Sequence, residues 1–119
     1  MRALRLPETK DEERFVFPFA AIPRDARIIL YGGGIVGKTF LREQRRSPTC
    51  EILAVCDKSP EKTGIQSVPV ITPDELCQRE DYDMVLIAIE REDIALSIWR
   101  DLRGLGILQN KLRWINPAR

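Results

Sequence analysis

The chain has 119 residues, 44% of them apolar, a formal net charge of +1 and no histidine. That length suits one domain with a real core, and so even a charge balance excludes a broad nucleic-acid-binding face, which needs a basic excess. The missing histidine excludes Ser-His and Cys-His nucleophiles and removes the commonest general base.

In chain order, residues 1–14 are polar and charged and read as a loose arm, so that the expected division is an arm over 1–24 and one domain over 25–119. Phe15, Phe17 and Phe19 alternate with Val16 and Pro18. They predict a short extended piece with one aromatic face, confined to a sheet edge by the proline. Left uncovered, such a strip would draw two copies together. Pro23-Arg24-Asp25 reads as a turn.

Arg27-Ile28-Ile29-Leu30-Tyr31 is a first strand that runs into three glycines. Ile35–Arg46 follows as a helix with Val36, Phe40 and Leu41 on one face, and the arginines of its last turn complement the negative helix end. Residues 52–56 make a second strand closing on Asp57, and 58–64 a polar loop. Val68–Ile71 is a third strand, placed at an edge by Pro69. Thr72-Pro73-Asp74-Glu75 has the form of a capping box, opening a short helix that ends near Glu80. Residues 84–89 are the most apolar run in the chain and suit a central parallel strand. Ile94, Ala95, Ile98, Trp99 and Leu102 then recur at helical spacing, with Gly104 or Gly106 ending that helix, and 112–115 give a fifth strand.

Strands that alternate with helices imply an α/β, three-layer, Rossmann-like fold with a mainly parallel sheet of five strands in the order 3-2-1-4-5. The crevice at the C-terminal ends of strands 1 and 4 is where such sheets take ligands.

Gly32-Gly33-Gly34-Ile35-Val36-Gly37 fits G-x-G-x-x-G between a strand and a helix, the context that gives this weak pattern weight. The first glycine permits the turn, the second admits a pyrophosphate and the third lets helix and strand pack closely. The same stretch with Lys38 and Thr39 also fits the P-loop pattern. Ile35 and Val36 are bulky for a loop that must wrap a phosphate, and Glu90 is the one candidate for a magnesium-binding acid on another strand. The dinucleotide-type turn is therefore preferred over a P-loop or a purely structural turn. Asp57 stands where an acid accepts hydrogen bonds from a ribose, or else is a solvated loop residue. Glu90, at the mouth of the fourth strand, either faces a ligand or opens the next helix. Cys50, Cys56 and Cys77 form no C-x-x-C pair. They are expected to be reduced thiols of a cytoplasmic protein without a metal. No apolar run approaches the roughly 20 residues of a membrane span, and no leader is expected.

The segments 27–38, then Val55-Cys56-Asp57-Lys58, then Val85-Leu86-Ile87-Ala88-Ile89-Glu90 resemble Rossmann-like domains of bacterial polysaccharide and nucleotide-sugar biosynthesis proteins. They are similar also to the N-terminal nucleotide-sugar-binding domain of sialic-acid-type sugar acyltransferases. The resemblance implies a small nucleotide as ligand, NAD or a UDP-type sugar, bound by Gly32, Gly33, Gly34, Ile35, Val36, Gly37, Asp57, Lys58 and Glu90. It implies a role in surface-sugar biosynthesis without a catalytic set in this chain, which lacks the left-handed helix repeat of the acyltransferases and the second half of a dehydrogenase. The alternative is the cofactor-binding fragment of an NAD-dependent oxidoreductase or epimerase. The expected further partners are a second copy of the chain or a fused or separate catalytic domain, and neither nucleic acid nor membrane.

Overall fold

The computed structural model describes residues 14–58 and 64–119. β1 (Arg27–Tyr31) is buried from Ile28 onward, and its alternating side chains feed two separate cores. Ile28 and Leu30 point into one, Ile29 and Tyr31 into the other, as the two-residue period of a strand requires. Along β1 lie β2 (Glu51–Cys56) on one side and β5 (Met84–Ile87) on the other, both parallel to it. β4 (Val68–Ile71) adds to β2, and β6 (Leu112–Arg113) to β5, again in parallel. β3 (Gly64–Ile65) caps the β4 edge in antiparallel pairing. The full order is β3-β4-β2-β1-β5-β6. Its parallel part is the five-strand order 3-2-1-4-5 expected from the sequence. β3 is additional, and it begins inside the stretch read as a polar loop.

The first core is closed by α1 (Ile35–Arg46), whose Val36, Phe40 and Leu41 lie on Ile28, Leu30, Val55 and Leu86. The second is closed by α2 (Pro73–Cys77) through Leu76 and by α3 (Glu92–Gly104) through Ala95, Ile98 and Leu102. Helices on both faces make three layers. At α2 the capping box is present: the Thr72 hydroxyl accepts from the Glu75 N–H, and the Glu75 carboxylate accepts from the Thr72 N–H, both at 3.2 Å. The helix ends at Cys77 rather than near Glu80. α3 ends at Gly104, and Gly106 turns the chain with φ +97°.

The N-terminal aromatic segment departs from expectation. Phe15 makes a single antiparallel bridge with Ala118, and Phe19–Ala21 is a turn of 3-10 helix, so no edge strand forms. Phe15 and Phe17 are only 1% exposed and belong to the first core. Phe17 meets Phe40 of α1 edge-on at 5.3 Å, while its N–H donates to the Glu43 carboxylate at 2.7 Å. The apolar strip expected to draw in a second copy is thus consumed by α1. The last strand, Leu112–Arg113, is also shorter than 112–115. The indole N–H of Trp114 donates to the Ile89 carbonyl at 2.9 Å in the second core, whereas Ile115 packs on the first.

Candidate nucleotide-binding site

α1 follows β1 onto one face of the sheet and α3 follows the neighbouring β5 onto the other. The chain therefore parts company at the ends of β1 and β5, which leaves a crevice there. The cleft at this point has a volume of about 520 Å³. Its floor is the end of β1 and the glycine turn, one rim is Asp57 and Lys58 after β2, and the opposite wall is Ile89 with α3.

Three residues, Gly32, Gly33 and Gly34, carry the chain from β1 into α1. Gly32 has φ +119°, and a Cβ there would lie 2.9 Å from the Ala88 carbonyl oxygen. Both facts demand glycine. Its N–H donates to the Cys56 carbonyl at 2.9 Å, tying the turn to β2. A Cβ on Gly37 would run into the Gly32 carbonyl, so α1 lies on the turn with no room between. Around Gly34 the situation is reversed: nothing stands within 4 Å of its Cβ position. This is the N-cap of α1, where unpaired backbone N–H groups and the positive helix end favour an anion. Ile35, Val36 and Gly37 already belong to the helix, and the Lys38 N–H closes onto the Gly34 carbonyl at 3.0 Å. The connection is thus too short to wrap a phosphate in the P-loop manner. Val36 is buried, Ile35 is 51% exposed and the Lys38 side chain is exposed.

The carboxylate of Asp57 accepts from the Gly33 N–H at 2.9 Å, so the acid and the glycine turn form one unit. Lys58 pairs loosely with Asp101 of α3 at 3.7 Å, with both side chains largely exposed. The wall supplied by α3 consists of Asp93, Ser97 and Asp101 on one stripe, with Ile94 and Ile98 beside it. Asp93 is bound by Arg91 at 2.7 Å, and that guanidinium holds its carboxyl below the usual range. Tyr31 lines the floor; burial first, then the neighbouring Cys56, Asp101 and Asp57, push its phenol up to about 12. Burial likewise pushes the Cys56 thiol up to about 12. Near neutral pH both groups keep their protons. The cleft thus offers hydrogen bonds, helix-end amides and carboxylates around a partly apolar slot.

Glu90 is not among the residues lining the cleft. It is exposed and held in a two-oxygen ion pair by Arg14, at 2.8 and 3.0 Å. Among the described residues no group of three metal-type side chains gathers, and no helix is long and apolar enough to cross a membrane. The α3 wall was not singled out from sequence. Its signal was there, in polar residues at 93, 97 and 101 beside the apolar stripe.

No family model matches the chain, and no curated protein does. Solved structures do. A UDP-D-quinovosamine 4-dehydrogenase from Vibrio fischeri matches with a TM-score of 0.57 at 17% identity, over 76% of this chain and 75% of that one. RSP, a Rex-family repressor, matches with a TM-score of 0.57 at 14% identity, over 77% of this chain. The complex of RSP with β-NADH matches with a TM-score of 0.54 at 15% identity, over 76% of this chain. This chain spans 53% of the length of the repressor chains. At such identities the likeness establishes the Rossmann-like fold.

Proposed function

We propose that the chain is a nucleotide-binding module whose cleft holds an NAD-type dinucleotide. The single observation that carries this reading is the open space at Gly34, directly on the N-terminus of α1, with the Asp57 carboxylate fixed beside it. The pyrophosphate would take the helix-end amides, and the ribose hydroxyls would donate to the carboxylate. Gly32, Gly37 and Val36 shape the turn; Ile35 and Lys58 border it; Glu90, paired with Arg14, stands outside the cleft. A solved complex of a fold relative with β-NADH supports the choice of nucleotide. Asp57, Asp93 and Asp101 line the cleft beside Lys58, and with Arg91 paired to Asp93 the acids still exceed the bases. That balance disfavours a 2′-phosphate, and hence NADP.

We place the module in surface-sugar biosynthesis in the bacterial cytoplasm, working with a catalytic domain, fused or separate, rather than by itself. The likeness to a UDP-sugar dehydrogenase supports this setting and also a second reading, the cofactor-binding part of an oxidoreductase. A UDP-type sugar is the other ligand to test.

The experiment is calorimetry and thermal unfolding against NAD, NADP, a UDP-sugar, CoA and ATP with magnesium. At about a hundred times its dissociation constant a ligand adds roughly 2.7 kcal/mol to folding. NAD is expected to bind more tightly than NADP, and Asp57→Ala to weaken it about ten- to a hundredfold, the worth of a hydrogen bond to a charged group. Asp57→Arg should narrow or reverse the discrimination against the 2′-phosphate. Unchanged affinity in Asp57→Ala would remove the acid from the site, and failure of every nucleotide to bind would end the proposal.

A further inference from the structure

Two of the carboxylates along the cleft are engaged: Asp57 accepts from the Gly33 N–H, and Asp93 is held by Arg91. Asp101, further along α3, accepts no hydrogen bond from a described residue and pairs only loosely with Lys58, at 3.7 Å. Tyr31 on the floor is in the same condition with the opposite polarity. It is 5% exposed, and its hydroxyl has no hydrogen-bond partner among the described residues. Burial first, then neighbours that include Asp101, keep the phenol protonated near neutral pH, so it is a donor. Nor is this hydroxyl sealed in the core; the sealed and unpaired side-chain atom among the described residues is Oε1 of Gln66. The Tyr31 hydroxyl therefore opens onto the space beside it. Tyr31, Lys58 and Asp101 are shared with an adjoining hollow of about 410 Å³, bounded further by Pro73, Arg100 and Gly104, so the cleft runs on past them. A polar group so deeply buried and without an internal partner calls for one from outside.

Building on the dinucleotide reading, we infer that Tyr31 and Asp101 recognise the edge of the base, and that the base they select is adenine, with its exocyclic amine beside a ring-nitrogen acceptor. Phosphates on the N-terminus of α1 and a ribose on Asp57 leave the far part of the cleft for the base, where Ile94 and Ile98 offer an apolar face to the ring. At the edge of that ring the amine donates to the Asp101 carboxylate and the ring nitrogen accepts from the Tyr31 hydroxyl. Hypoxanthine has the same size and the same flat faces, but a carbonyl replaces the amine. An acceptor then faces the carboxylate, and the ribose, fixed at Asp57, keeps the ring from reversing the mismatch. A site built to hydrogen-bond one group rejects an analogue that lacks it far more strongly than an apolar slot can.

The test is calorimetry with NAD and with nicotinamide hypoxanthine dinucleotide, which differ in the base alone. The wild type is expected to bind NAD at least about tenfold more tightly, the worth of a hydrogen bond to a charged group. Tyr31→Phe should weaken NAD about three- to tenfold. Its unfolding temperature without ligand should stay that of wild type, because the lost hydroxyl had no partner in the protein. Asp101→Asn should reduce the preference for adenine to about threefold or less, since an amide can donate to the carbonyl of hypoxanthine. Equal affinity of the wild type for the two dinucleotides overturns this inference and leaves the dinucleotide reading standing. A Tyr31→Phe chain that binds NAD like wild type overturns it as well. If neither dinucleotide binds, both readings fall together.

Discussion

Gly32, Gly34 and Gly37 sit within one turn and a half of chain and meet three different surroundings. At Gly32 the backbone conformation and the Ala88 carbonyl forbid a side chain, at Gly37 the Gly32 carbonyl does, and at Gly34 the protein forbids nothing. Substitutions should therefore separate folding from binding. Gly37→Val should destabilise the domain by about 3 kcal/mol or more, since the obstacle is backbone and cannot swing aside. Gly34→Val should unfold at nearly the wild-type temperature and lose the nucleotide, because its side chain fills space that only a ligand uses. A folded Gly34→Val with wild-type affinity would show that the phosphate does not lie on this turn. The thiols divide just as sharply. Burial pushes Cys56 up to about 12 and Cys50 up to about 11, whereas Cys77 is exposed at the end of α2. Alkylation near pH 8 should mark Cys77 first, leaving Cys56 untouched until the chain unfolds, as intact mass and peptide mapping would read. Early labelling of Cys56 would mean that β2 opens locally.

At the scale of elements, what the sequence shows best is what repeats. β1, α1 and the capping box of α2 carry their signals within a few neighbouring residues: an apolar run into glycines, a helical stripe, a Thr-Pro-Asp-Glu box. The G-x-G-x-x-G turn and Asp57 are legible for the same reason, since each glycine answers a local steric demand. Val68–Ile71 is legible as a strand, but β3 and the turn that joins it to β4 are not. β3 is two residues long, too short to display a period, and the turn is Gln66-Ser67, at φ +50° and +69°, rather than the Asn-Gly that usually announces such a turn. Long-range bonds hold this turn instead, from Arg45 to the Gln66 carbonyl at 2.9 Å and from the Gln66 amide to the Lys38 carbonyl at 3.2 Å. Ser67 is exposed and has no such anchor among the described residues. Ser67→Gly should therefore raise stability by about 0.5–1 kcal/mol, the left-handed penalty less the added freedom of the unfolded chain. Urea midpoints would measure it, and a loss of stability would place an unrecognised role on the hydroxyl.

At the scale of the whole molecule the two ends of the described chain are joined, and this joint lies beyond any local signal. The Val16 N–H donates to the Pro117 carbonyl at 2.9 Å and the Arg119 N–H to the Arg14 carbonyl at 2.9 Å. Glu43 of α1 stands behind both strands of the joint. It accepts from the Phe17 N–H at 2.7 Å and lies 3.7 Å from the Arg119 guanidinium. Arg14, at the same joint, reaches to Glu90 beyond β5. The clasp thus links the first core to the mouth of the central strands while leaving the cleft on the other side of β1 untouched. Phe17 is its anchor, 1% exposed between Phe19 and Phe40. Truncating a buried phenylalanine costs about 3–5 kcal/mol, against a total stability on the order of 5–15 kcal/mol for a domain. Phe17→Ala should accordingly lower the urea midpoint steeply while changing nucleotide affinity little, provided that binding is measured where the variant is still folded. Glu43→Gln keeps an acceptor for the Phe17 N–H and should cost less than Glu43→Ala, which leaves that N–H unpaired at about 1–3 kcal/mol. Should Phe17→Ala instead unfold like wild type, the clasp would be an ornament on a domain that begins at β1. Should it hold its stability and lose the ligand, the clasp would belong to the site.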